Sequence, residues 1–296
     1  MSISESQLQT WSNKGATVTS SSTYHSIKNA LEDSNSPLAS ISKEIYLQGS
    51  YRNWTNIYAD SDVDIVVQLN KTFHRDISGL SVEDQRAYLA AHGAAEYLEQ
   101  QFKSDVRQSL ERYFGKPNVT LGRKVFIIKA GDGRFTADVL PALQFRQYNW
   151  FISHGSESYV EGIRFVDSAG NAIINYPKLH IDNGQTKNSE ERTNGWYKPT
   201  VRLFKNIRNY LVDKNKIGAN IAPSYFVECL VYNAPDNCFG ASFSQTLRSV
   251  VSHLWTKPFN LFTCQNRIVP LFGGSSVQWN TDQATELLGE VIKLMN

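Results

Sequence analysis

The chain has 296 residues, enough for one large domain or two smaller ones with a real core. Hydrophobic residues at 41% and charged residues at 20% describe a soluble globular protein, and 30 Lys+Arg against 28 Asp+Glu exclude a nucleic-acid coat protein that binds through bulk charge. Cys229, Cys238 and Cys264 are odd in number and lack CxxC spacing, which excludes a disulfide framework or zinc site and implies free thiols of a reducing compartment.

The opening "MSISESQLQTWSNKG" has no basic stretch leading into an apolar core, so no signal peptide is expected. No apolar run approaches the length of a bilayer span, and a cytoplasmic protein without a membrane partner is expected. Residues 1–20 read as a loose or weakly helical arm, residues 22–33 as a helix stopped by "SNSP", and residues 43–48 as a short strand running into Gly49. "SDVDIVVQL" (61–69) is the clearest strand, with Val63, Ile65 and Val67 on one side and Asp62, Asp64 and Val66 on the other. Ser81 and Asp84 form a capping pattern for one long helix. Its stripe is Tyr88, Ala91, Ala95, Leu98, Phe102, Val106, Leu110 and Tyr113, and Gly115 and Pro117 end it. "RKVFIIKAGDGRFTADVLPAL" reads as two alternating strands around the turn dipeptide Asp132-Gly133.

Residues 153–195 are rich in Gly, Asn, Ser and charge and read as a loop-dominated crossover. The last third reads as helical. "KPTVRLFKNIRNYLVDKN" carries Leu203, Phe204, Ile207, Tyr210 and Leu211 as a stripe, "APSYFVECLVYN" starts another helix, and "TDQATELLGEVIKLM" is amphipathic. The expected division is an α/β part at 1–150, a loop-rich crossover at 151–195 and a helical part at 196–296.

Asp62 and Asp64 share a strand face because side chains alternate with a period of two. Like charges held so close call for a cation, and a hard divalent ion with oxygen ligands fits, Mg²⁺ above all when substrate phosphates complete its shell. Asp138, on a face with Thr136 and Leu140, is a third such acid. Three converging carboxylates can hold two metals about 3.5–4 Å apart for in-line phosphoryl transfer. Gly49-Ser50 supplies a turn where backbone N–H groups and a hydroxyl can meet phosphate oxygens. Solvated acids on an edge strand are the bland alternative.

"GSY…TNI…SDVDIVV" followed by "TADVLPA" resembles the DNA polymerase β-like nucleotidyltransferases, and within them the cGAS/DncV-like nucleotidyltransferases (CD-NTases) of bacterial CBASS anti-phage systems. The likeness is strong over the first 150 residues and extends through "WYKPTVRLFKNIRNYL" and "APSYFVECLVYN". It implies a mixed-sheet α/β catalytic core with a C-terminal helical nucleotide-binding domain and an active site in the cleft between. It implies two Mg²⁺ ions, with Mn²⁺ as the substitute, on Asp62, Asp64 and Asp138, the last activating a ribose hydroxyl. It places Gly49 and Ser50 at the donor triphosphate, Lys205 and Ser224 on phosphate, and Tyr225 on the donor base.

The implied reaction joins NTPs, ATP and pyrimidine nucleotides among them, into a cyclic di- or trinucleotide with release of pyrophosphate. A monomer is expected, with a regulatory partner left open. The His and Cys cluster of the animal DNA-sensing relative is absent, so no obligate DNA partner is expected. Transfer to an RNA end or a protein acceptor, and an inactive nucleotide-sensing scaffold, are the alternatives. Near-neutral charge weakens the first and three retained acids weaken the second. Arg202 and Arg208 read more simply as a solvated basic face and Tyr225 alternatively as a core aromatic. The six histidines lack ligand spacing, and the six tryptophans read as packing residues.

Overall fold

The computed structural model describes residues 3–15, 18–58, 62–275 and 277–296. Its first elements are α1 (Glu5–Trp11), α2 (Val18–Glu32), β1 (Lys43–Leu47), α3 (Gly49–Asn53), β2 (Asp62–Asp76), α4 (Val82–Ala91), α5 (Glu99–Phe114), β3 (Val119–Leu121) and β4 (Phe126–Ile128). There follow β5 (Thr136–Ser153), β6 (Ser156–Val166), β7 (Ala172–Asn175), α6 (Pro177–Lys187), α7 (Tyr197–Asp213), α8 (Ser224–Tyr232), α9 (Phe243–Thr256) and α10 (Thr281–Met295). Ser61, where the predicted strand begins, lies outside the described residues.

Two compact units emerge. A sheet unit comprises Thr17–Gln48 and Ser61–Lys178; a helical unit comprises Met1–Ala16, Gly49–Asp60 and Leu179–Asn296. The division differs from boundaries at 150 and 195, because the segment after Gly49 groups with the C-terminal helices. Its anchors are side chains of those helices. Thr55 Oγ1 and Asn53 Nδ2 donate to Glu228 at 2.8 and 3.0 Å, and Lys205 donates to the Thr55 carbonyl at 3.0 Å.

In the sheet unit the described strands run β1-β2-β5-β4-β3, with β6 on β5 and β7 outside β6. β2 and β5 are parallel and the other pairs antiparallel, so the sheet is mixed. β2 earns its central place from Val63, Ile65, Val66, Val67 and Leu69, all fully buried. β5 changes neighbour along one edge, pairing β4 through Ala137–Val139 and β6 from Leu143 onward. Pro141, which has no N–H to give a ladder, sits at that change-over. The predicted hairpin is present: Asp132 and Gly133 take φ of 50° and 75°, the left-handed pair of a tight turn between β4 and β5.

Three local expectations change. The single long helix is two, α4 and α5. The His92 ring stacks on Tyr88 at 3.9 Å and sets Nδ1 2.9 Å from the Tyr88 carbonyl, the acceptor that the next helical amide would use. Of the predicted stripe, Ala91, Ala95, Leu98 and Tyr113 are exposed, and the buried members are Tyr88 on α4 and Phe102, Val106 and Leu110 on α5. The crossover at 153–195 contains β6, β7 and α6. Its charges are matched by neighbours within the unit: Lys178 meets Glu161 at 2.7 Å and Glu44 at 2.5 Å, and Arg146 lies 3.7 Å from Glu157. The N-terminal arm is a capped and docked helix. Glu5 accepts from the Phe243 and Ser244 amides at 2.7 and 2.9 Å, and Leu8 enters the helical core.

That core is built by α7, α8, α9 and α10 around Leu203, Phe204, Ile207, Leu230, Val250 and Leu288. Trp279 joins it, but Trp54, Trp150 and Trp255 are 49%, 43% and 48% exposed, so packing does not account for all the tryptophans.

Candidate active site

Parallel pairing of β2 with β5 sets Asp62 opposite Thr136 and Asp64 opposite Asp138. With side chains alternating, Asp62, Asp64, Thr136 and Asp138 occupy one face, while buried Val63, Ile65, Ala137 and Val139 anchor the other. The register sets Asp64 beside Asp138 and leaves Asp62 two residues along the same face. Asp62 is exposed, and Asp64 and Asp138 are half-buried. Burial raises the Asp138 carboxyl above the usual aspartate range, and the Asp62 charge raises it further. Among the described residues no group of three or more His, Cys, Asp or Glu is placed to hold a metal ion by itself. The acids on this face offer carboxylate oxygens as donors. That donor chemistry fits Mg²⁺, whose shell is commonly completed by water and substrate phosphate.

The helical unit holds the other predicted residues. Gly49, at φ 67°, makes the turn that admits Ser50 to the first turn of α3, where Ser50 is half-buried. Ser224 opens α8, and its hydroxyl accepts from Arg208 Nη2 at 3.3 Å. Arg208 Nη1 donates to the Ala222 carbonyl at 2.6 Å, so this guanidinium supports the turn that presents Ser224. Tyr225 is 43% exposed. One ring face stacks on His180 at 5.3 Å and 24°, and the hydroxyl end reaches Cys229 and Cys264, where burial pushes its pKa far up.

Lys205 is placed otherwise than expected. It is 1% exposed, and its ammonium donates to the Thr55 carbonyl at 3.0 Å. Arg202, 7% exposed, donates to the carbonyls of Ser12, at 2.5 Å, and Trp54. Arg202, Lys205 and Arg208 are thus no solvated face. They satisfy carbonyls of irregular segments that have no ladder partner. The cation standing beside Ser224 is Arg208.

Glu228 is the residue the sequence reading missed. It is 4% exposed and accepts from Asn53, Thr55 and His180 Nε2, the last at 3.0 Å. Burial alone would raise its pKa. The His180 hydrogen bond and charge, then Lys205 and Thr55, outweigh that and hold the carboxyl below its usual 4.5. The available signal was an acid inside the apolar run "FVECLV", a placement that demands buried partners.

The description "cGAS/DncV-like nucleotidyltransferase C-terminal helical domain" matches residues 182–296. The cyclic UMP-AMP synthase of Rhodothermus marinus (strain SG0.5JP17-172) is 42% identical over 289 residues, covering 97% of this chain and 96% of that one. The chain belongs to the cGAS/DncV-like nucleotidyltransferases. A second member, cyclic nucleotide synthase CdnE01 of Staphylococcus haemolyticus, is 40% identical over 302 residues, covering 100% of this chain and 99% of its own. The structure of the Rhodothermus marinus CdnE c-UMP-AMP synthase with Apcpp and Upnpp superposes with a TM-score of 0.89 at 40% identity, over 99% of this chain and 96% of that one.

As a member of this family the chain is a nucleotidyltransferase with a polymerase β-like sheet core and a C-terminal helical domain. Asp62, Asp64 and Asp138 lie in the sheet unit, and Ser50, Arg208, Ser224 and Tyr225 lie in the helical unit. Among its described residues no helix is long and apolar enough to cross a membrane.

Proposed function

We propose that this nucleotidyltransferase joins ATP and a pyrimidine NTP into a cyclic dinucleotide, releasing pyrophosphate at each of two transfers, and that it serves anti-phage defence as a monomer in the bacterial cytoplasm. The observation that carries the chemistry is the parallel register that gathers Asp62, Asp64 and Asp138 on one face. The choice of bases is supported by the relative named cyclic UMP-AMP synthase and by one of Legionella pneumophila, 37% identical, named cyclic dipyrimidine nucleotide synthase.

Asp62, Asp64 and Asp138 would hold two Mg²⁺ ions, which when bound neutralise charge on the transferring phosphate. Asp138 is the base. It takes the proton of a ribose hydroxyl, which then attacks the α-phosphate as pyrophosphate leaves. The hydroxyls of Ser50 and Ser224 and the Arg208 guanidinium donate to donor phosphate oxygens, Arg208 taking the part expected of Lys205. Lys205 acts through its neighbours, as a positioning residue that holds the segment after Ser50. The open face of Tyr225 takes the donor base.

The test is a mass spectrum of products from the purified chain with all four NTPs and Mg²⁺. A phosphatase-resistant dinucleotide containing adenosine and a pyrimidine nucleoside is expected, and EDTA should prevent it. Product only after addition of an RNA end or protein acceptor would move the reading to terminal transfer.

Tyr225→Ala should weaken binding of every NTP by roughly 1–3 kcal/mol, since every base offers a π-face. Tyr225→Phe should bind like the parent. A Tyr225→Ala protein that melts early but binds NTPs normally would make Tyr225 a packing residue only.

A further inference from the structure

The helical unit contains a cavity of about 440 Å³ whose lining includes Arg52, Trp54, Gln185, Asn188, Lys198 and Arg202. Its volume falls in the range of small-molecule pockets, roughly 300–1,000 Å³. None of the residues given a role in the transfer reaction lines it.

Charge is the distinguishing property. Lys198 and Arg202 stand one turn apart on α7, and Arg52 leaves the end of α3 toward the same space. Among the described residues no acidic side chain lines the cavity. Among the described residues none of the three cations has a carboxylate within ion-pair distance. Arg202 is 93% buried, and among the described residues its guanidinium is answered by the neutral carbonyls of Ser12 and Trp54. Burial lowers the pKa of Lys198, Glu228 pulls it back, and Arg52 and Arg202 push it down again. The cations repel one another across open space, a cost that a bound anion would remove.

The wall suits a ligand with an organic part as well. Trp54 takes φ 59°, held by the Arg202 hydrogen bond to its carbonyl, and its ring is half exposed. Lys14 lies 4.1 Å over that ring and adds positive charge beside it.

We propose that this cavity is a binding site for a small anion carrying two or more adjacent phosphates. The Arg52 and Arg202 guanidinium groups match phosphate oxygens as forks, Lys198 acts as a point charge, and the Gln185 and Asn188 amides supply neutral donors. Three cations with no carboxylate answer a polyphosphate better than a single carboxylate. The site is independent of the transfer reaction, since it uses none of that reaction's residues.

Tripolyphosphate is the probe, titrated calorimetrically into the full chain in EDTA so that no metal bridges it to the acids. Binding to the parent is expected, weakened at least tenfold by Arg52→Gln and by Lys198→Gln and retained by Arg208→Gln. Melting curves without anion establish that each variant is folded; should one not fold, the other carries the comparison. Absence of binding to the parent would overturn the proposal. So would citrate binding as tightly as tripolyphosphate, or a loss that follows Arg208→Gln and spares Arg52→Gln and Lys198→Gln.

Discussion

Replacing Asp62 and Asp64 together by asparagine is expected to lower product formation by about 10³-fold or more while leaving a folded protein. Metal-held charge neutralisation at a transferring phosphate is worth several kcal/mol, and each 1.36 kcal/mol is a factor of ten in rate. The amide keeps the shape of the carboxylate and loses its charge. Fold stability should move the other way. The folded pKa of Asp138 lies above the ordinary 3.8, so its ionised form is disfavoured in the native state by burial and by Asp62. Removing charge from this face relieves that cost, and the melting temperature without metal should rise. The sign with pH follows from the raised value. For Asp138→Asn the gain is full above the folded pKa of Asp138 and gone below about 3.8, where the carboxyl is protonated folded and unfolded alike. Product assay and melting curve on the same proteins check both parts. A double variant with parental turnover would remove the acids from the mechanism.

Glu228→Gln is expected to destabilise the fold by about 3–5 kcal/mol, the cost of breaking a buried charged pair by removing one partner. The carboxylate accepts from Asn53, Thr55 and His180 and offsets the buried ammonium of Lys205. Gln presents an NH₂ where an acceptor is needed and leaves the Lys205 charge without its counterpart. The pKa is depressed in the native state, so this stability is present above 4.5 and is lost as pH falls through the folded value. Urea unfolding of parent and variant should therefore differ widely at neutral pH and converge in acid below 4.5. A gap that persists unchanged into strong acid would mean that the loss is one of packing and not of charge. NTP affinity should fall as well, because the segment that follows Ser50 hangs on Glu228 through Asn53 and Thr55.

Much of this was legible in the chain because it is local. Alternation at 61–69 reveals a strand with two acids on one side, whatever lies beside it. Asp132-Gly133 demands a left-handed pair, and α7, α8 and α10 show their apolar stripes at helical spacing. The same locality explains the misreadings. β6 looks like loop because Glu157 and Glu161 find partners in Arg146 of β5 and Lys178, and Arg164 in Glu99 of α5, which no window of sequence contains. The break between α4 and α5 depends on a His92 ring folding over Tyr88.

The sequence by itself determined the acids, their strand periodicity and the glycine-serine turn, since chemistry and period are properties of neighbours along the chain. Only the tertiary structure decided that β5 lies parallel to β2 in the register that joins Asp138 to Asp64. It alone decided which cation of α7 serves which purpose. Arg202, Lys205 and Arg208 look equivalent at spacing three, yet Lys205 is drawn inward by the Thr55 carbonyl and Glu228 while Arg208 meets Ser224. Burial of a charge is set by the groups that compensate it, and here those groups come from segments far away in the chain.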